Sequence, residues 1–218
     1  MSTSMDSVTI DLARAWMRAA AESMDEHAEE LTRLDAAIGD GDHGSNMRRG
    51  FSAVAGKLAD TDFPSVGSVL TLSGRTLIST VGGASGPLYG TVLRSAGKRL
   101  TGSTASPGEL LDALRDGMEA VRGLGGAQVR DKTMVDALAP ALAAYSAALE
   151  DGADLGAAVG AAARAAGEGA QATVPMTARK GRASYLGERS RGHQDPGAAS
   201  TALLFAALAS VVGAPDVR

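Results

Sequence analysis

Asp35, Asp40 and Asp42 fall close together in the segment Leu34-Asp35-Ala36-Ala37-Ile38-Gly39-Asp40-Gly41-Asp42-His43-Gly44-Ser45-Asn46, interleaved with glycines. Carboxylates packed this tightly repel one another unless a cation shares them. Mg²⁺ suits such a set, because it takes hard oxygen ligands and divides its shell among a few carboxylates, waters and substrate phosphates. Gly39, Gly41 and Gly44 provide the backbone freedom for a tight turn that aims Asp40 and Asp42 to one side. On spacing alone two other readings stay open. Asp and Gly also make solvated turns. A Ca²⁺ loop is the other alternative, although no glutamate stands at the twelfth position counted from Asp35 or Asp40, as an EF-hand would require.

His43, Ser45 and Asn46 follow directly and open a helical pattern. A helix N-terminus offers free N–H groups to a phosphate, while Ser45 also suits an ordinary N-cap. A second glycine-rich turn, Val81-Gly82-Gly83-Ala84-Ser85-Gly86-Pro87, feeds another helix. It is neither a Walker A motif nor a Rossmann fingerprint, and taken alone it reads as a tight interhelical turn before it reads as a phosphate cradle. A third segment, Thr177 to Ala199, gathers Arg179, Lys180, Arg182, Arg189 and Arg191 in a chain of net charge −4. Guanidinium groups suit bidentate phosphate contacts. One acidic turn, one glycine turn and one arginine-rich loop together point to a nucleotide.

The elements that must position these turns are helical. Apolar residues recur at helical spacing from Val8 to about Leu34, which predicts one long helix. Further helices are expected over 46–58, 65–80, 85–100, 106–122, 133–149, 154–173 and 198–212, with Ser106-Pro107 as an N-cap and first-turn proline. The segment 174–194 is expected to be irregular. The count is about eight helices with no convincing strand. Aromatic residues make up only 3% of the chain, so small and aliphatic side chains must fill the core. Residues 1–218 read as one domain. The acidic balance argues against a nucleic-acid surface. No cysteine is present to form a disulfide or thiolate site. No signal peptide or membrane span is expected, which makes a cytoplasmic location the expectation.

Four ordered blocks carry a resemblance: Asp35…Gly-Asp-Gly-Asp-His-Gly-Ser-Asn-Met, Gly-Gly-Ala-Ser-Gly-Pro-Leu-Tyr-Gly, Asp-Lys-Thr-Met-Val-Asp-Ala-Leu, and Ala-Arg-Lys-Gly-Arg-Ala-Ser-Tyr-Leu-Gly-Glu-Arg-Ser-Arg-Gly-His-Gln-Asp-Pro-Gly-Ala. They resemble the nucleotide-binding L subunits of bacterial dihydroxyacetone kinases. That resemblance implies an all-α fold, a barrel of eight antiparallel helices with ADP or ATP held in the loops at one end. It implies that Asp35, Asp40 and Asp42 hold two Mg²⁺ ions, and that His43, Gly44, Ser45 and Asn46 form one phosphate turn and Ala84 and Ser85 a second. Gly125 and Met134 would line the adenine pocket. Arg182 would stabilise charge near the transferred group, and Asp195, Pro196 and Gly197 would close the site. Val129-Arg130 and Arg191 depart from the family's usual residues. His193 matches a family histidine with a structural reading.

The implied partners are a K subunit, which binds dihydroxyacetone covalently through its own histidine, and a phosphotransferase-type M subunit, which recharges resident ADP from phosphoenolpyruvate. A transcription regulator and a second copy of the chain are further candidates. The block around His43 resembles phosphoenolpyruvate-linked subunits, whereas ATP-using fused relatives tend to carry Cys there. Two alternatives remain: a kinase for dihydroxyacetone or erythrulose in which ATP exchanges freely, and a nucleotide-sensing regulatory protein.

Overall fold

A computed structural model describes residues 7–213. Nine α-helices are found among the described residues: α1 (Ile10–Glu26), α2 (Ala28–Ile38), α3 (His43–Ala59), α4 (Val66–Thr80), α5 (Ser85–Arg99), α6 (Pro107–Gly125), α7 (Val135–Glu150), α8 (Leu155–Ala172) and α9 (Pro196–Gly213). A 3-10 segment, Arg182–Ser190, interrupted at Gly187, lies within the stretch expected to be irregular.

The single helix expected from Val8 to about Leu34 is two helices. His27 leaves the helical region at φ −98°, ψ 10°, and its ring Nδ1 lies 2.9 Å from the Ser23 carbonyl. The His27 N–H still donates to the Ser23 carbonyl at 3.0 Å, as within a helix, and the ring shares that acceptor. Upstream, Val8–Thr9 (β1) pairs antiparallel with Thr104–Ala105 (β2), a two-residue ladder with no signal in the residue pattern. Thr9 then caps α1 by accepting from the Leu12 N–H at 3.1 Å. At α6 the expectation holds: Ser106 and Glu109 form a capping box, with Pro107 at the first helical position.

Eight of the helices close a ring in the order α1, α3, α4, α5, α6, α7, α8, α9 and back to α1. Neighbours run antiparallel. Arg14, near the start of α1, donates to the Leu58 carbonyl near the end of α3 at 2.8 Å, and Tyr145, late in α7, donates to the Pro107 carbonyl at the start of α6 at 3.1 Å. Met17, Met47, Phe51, Leu70, Leu110, Leu155 and Val159 fill the interior and are buried. Small residues let the helices approach. A Cβ on Gly74 of α4 would come within 2.6 Å of the Gly90 carbonyl oxygen of α5. Helix α9 is long and apolar enough by length and composition to cross a membrane. It packs between α8 and α1, however, with Leu204, Phe205 and Leu208 buried, and is a wall of the ring.

Alternation around the ring has one consequence for function. The N-termini of α3, α5, α7 and α9 meet at the same end as the C-termini of α2, α4, α6 and α8. The loops 39–42, 81–84, 126–134 and 173–195 therefore converge there, although they are scattered along the chain. Helix α2 lies outside the ring of eight and packs against α3, α9 and the 3-10 segment.

Candidate functional site

The acidic turn is built around Asp35. Its carboxylate, 9% exposed near the end of α2, accepts from the backbone N–H groups of Asp42 at 2.9 Å and His43 at 3.1 Å. Gly41, at φ +74°, makes the reversal that brings Asp42 back over Asp35. One carboxylate oxygen each from Asp35, Asp40 and Asp42 then lies within 4.8 Å of the other two. Arg182 reaches Asp40 at 3.1 Å. The donor set is all hard oxygen, and the Asp42 carboxylate makes no capping bond to its own helix. These features fit a hard divalent cation better than a solvated turn, in which like charges would spread apart.

Around this cluster a cleft opens at the end of the ring. Asp35, Asp40, Asp42, His43, Ala84, Ser85, Met134, Arg182, Asp195, Pro196 and Gly197 all line it. These sequence-predicted residues come from four separate segments. Gly44, Ser45, Asn46 and Gly125 do not line the cleft. A Cβ on Gly44 would overlap the Ala28 carbonyl oxygen, so that glycine serves the close approach of α3 to α2. Ser45 donates to the Asp42 carbonyl at 2.9 Å, and Asp42, not Ser45, is the N-cap of α3. Asn46 is buried beside Gly82 and accepts from Arg49 at 2.5 Å, while Arg49 also donates to the Thr80 carbonyl at 3.0 Å. This bracing joins the acidic and glycine turns from behind. Gly125 ends α6, followed by left-handed Gly126.

His43 sits between the two turns. Its Nδ1 lies 3.1 Å from Ser85 Oγ and its Nε2 2.8 Å from Ser200 Oγ. Burial lowers its pKa, against the pull of Asp35 and Asp42. Tyr89, also lining the cleft, holds the start of α9 by donating to the Gly197 carbonyl at 2.7 Å. Burial raises its pKa and keeps that proton in place.

On the opposite wall Lys132 adopts φ +63° and is only 1% exposed. Its ammonium donates to the carbonyls of Thr173, at 2.7 Å, and His193. Burial lowers its pKa, opposed by Asp195 and Asp136. Asp195 caps α9 by accepting from the Ala198 N–H at 2.7 Å. Burial pushes its pKa up to about 7, against the hydrogen bond from Ala198 and the charge of Lys132. His193 thus enters through its carbonyl, consistent with a structural reading.

Sequence reasoning missed Leu88, Tyr89, Lys132 and Thr133 in the cleft, and Ser200 bonded to His43 and Tyr89. A signal existed for two of them. Tyr89 stands four residues after Ser85, and Ser200 four after Pro196, which places each on the site-facing side of its helix.

Comparison with known proteins agrees with this geometry. The model of the DAK2 domain matches residues 37–210. The chain is 44% identical over 195 residues to the PEP-dependent dihydroxyacetone kinase ADP-binding subunit DhaL of Escherichia coli (strain K12), covering 89% of this chain and 93% of that protein. It is 41% identical over 205 residues to the PTS-dependent dihydroxyacetone kinase ADP-binding subunit DhaL of Lactococcus lactis subsp. lactis (strain IL1403), covering 94% of this chain and 99% of that one. The dihydroxyacetone kinase of C. freundii, solved with AMP-PNP and Mg²⁺, superposes with a TM-score of 0.71 at 28% identity. That match spans 92% of this chain but 34% of the longer kinase. With most of its length matched by the family model, and with the ring and the acidic turn both in place, the chain belongs to the DAK2 domain family.

Proposed function

We propose that this chain is the ADP-binding subunit of a dihydroxyacetone kinase, passing a phosphoryl group from a Mg²⁺-bound nucleotide to dihydroxyacetone held on a K subunit. The observation that carries this reading is the convergence of Asp35, Asp40 and Asp42 with the N-termini of α3 and α5 and with Arg182 in one cleft. Phosphoryl transfer demands positioning and charge neutralisation more than covalent chemistry from the protein. The three aspartates would hold Mg²⁺, two ions by family resemblance. When bound, the metal neutralises phosphate oxygens and orients them for displacement.

The chain's own groups do the rest. Backbone N–H groups at the starts of α3 and α5 orient the phosphates, aided by the positive ends of the helix dipoles. Arg182 can exchange Asp40 for the transferring group, placing charge where it develops. Met134, on the opposite wall, offers apolar surface to the base. Asp195, Pro196 and Gly197 close the cleft at the start of α9.

In this reading ADP is a resident coenzyme, recharged by a phosphoenolpyruvate-linked M subunit. Support comes from His43 in the acidic block and from the names of the two bacterial relatives. The test is whether protein purified without added nucleotide carries ADP, and whether labelled ADP exchanges slowly relative to turnover. Nucleotide-free protein that turns over with a K subunit and ATP alone would replace this reading with the exchanging kinase. Protein that binds ADP but supports no phosphorylation with any K subunit would replace it with the regulatory one.

A further inference from the structure

The groups around His43 form one continuous hydrogen-bonded chain. Tyr89 Oη lies 2.7 Å from the Gly197 carbonyl, 2.6 Å from Ser200 Oγ and 2.9 Å from Thr201 Oγ1. Ser200 Oγ lies 2.8 Å from His43 Nε2, and also 3.0 Å from the Pro196 carbonyl and 3.2 Å from the Gly197 carbonyl. His43 Nδ1 lies 3.1 Å from Ser85 Oγ, so the two ring nitrogens join hydroxyls on α5 and α9.

We infer that this chain of hydrogen bonds, linking Ser85, His43, Ser200, Tyr89 and the Gly197 carbonyl, holds the N-termini of α5, α3 and α9 in register around the phosphate end of the cleft. Tyr89 and Ser200 are positioning residues for nucleotide binding. The relay leaves α5 at Ser85, crosses α3 and α9, returns to α5 at Tyr89 one turn later and ends on α9. Two separate links therefore tie α5 to α9 and resist its rotation as well as its withdrawal.

The relay is tested in two ways. Nitrogen-15 correlation spectra of the imidazole rings in the full-length protein, without nucleotide, should show His43 held in one fixed tautomer, as a ring bonded at both nitrogens requires. Exchange between the two tautomers would overturn the relay. The second test rests on the nucleotide reading above and uses titration calorimetry with ADP in excess Mg²⁺. Ser85→Ala, Ser200→Ala and Tyr89→Phe should each weaken binding by roughly three- to tenfold, the size of one lost hydrogen bond. The Ser85→Ala/Ser200→Ala double variant should lose no more than the larger single effect, because both break one chain. Additive losses, or a loss confined to Ser85→Ala, would mean that the Ser85 hydroxyl acts alone and would overturn the proposal. Wild-type protein that binds no Mg·ADP would defeat the nucleotide reading instead, with the tautomer still deciding the relay.

Discussion

Arg182, on the 3-10 segment, and Asp40, on the acidic turn, are joined by an ion pair of 3.1 Å across the mouth of the cleft. Their side chains are 70% and 39% exposed, so water screens the pair. An interaction of this kind contributes little to stability, yet it parks the guanidinium beside the acidic cluster where a phosphate would meet it.

Arg182→Gln should therefore change unfolding free energy by no more than about 1 kcal/mol. Its transfer rate with a K subunit should fall about a hundredfold, as when one donor to a developing charge is removed. Urea titration and a coupled transfer assay check the two halves. A large loss of stability with normal transfer would reverse the assignment.

Asp42→Asn removes one charge from the acidic cluster without breaking a side-chain capping bond. The variant should be at least as resistant to heat as the wild type in the absence of Mg²⁺, because mutual repulsion falls. The wild type should gain about 2.7 kcal/mol with Mg²⁺ and ADP at a hundredfold excess over Kd, by mass action. The variant should gain far less. Thermal melts with Mg²⁺, with ADP and with both separate these cases, and equal gains in the two proteins would remove Asp42 from the metal site.

Asp195 gives a pH signature. Its folded pKa is raised to about 7 by burial, above the ordinary value near 3.8. A raised carboxylate favours the folded state when protonated. Its contribution is fully present below about pH 4 and is lost as pH rises through about 7. Relative to Asp195→Asn, the wild type should lose stability across that window, at on the order of 1 kcal/mol per pH unit. Urea unfolding of both proteins between pH 4.5 and 8 measures the difference, and parallel profiles would contradict the buried carboxyl.

Gly44→Ala separates packing from ligand contact. Helix propensity alone would favour alanine by about 1 kcal/mol. The added Cβ would meet the Ala28 carbonyl, and backbone cannot rotate away as a side chain can. A net loss of about 1–3 kcal/mol is expected. Calorimetric unfolding reads it directly, and a neutral or stabilised variant would show that α2 and α3 can part cheaply.

The sequence by itself determined the helices, the capping box at Ser106, the acidic turn, the second glycine turn and the arginine-bearing segment, because each is written within a few neighbouring residues. Helical periodicity, Asp-Gly alternation and Ser-Pro starts are local signals. The break at His27 was not legible, since apolar spacing continues through it and only the backbone of His27 departs from the helix. Nor was the pairing of Val8 with Ala105, or the burial of Lys132 between Thr173 and His193. Tertiary structure alone decided which ends of the helices meet, and with them the cleft, the Asp40–Arg182 pair and the His43 relay. The physical reason is ring closure. Eight antiparallel helices bring every second loop to one end, so residues distant in the chain become neighbours through packing of apolar faces, which carry no mark of the polar contacts they create.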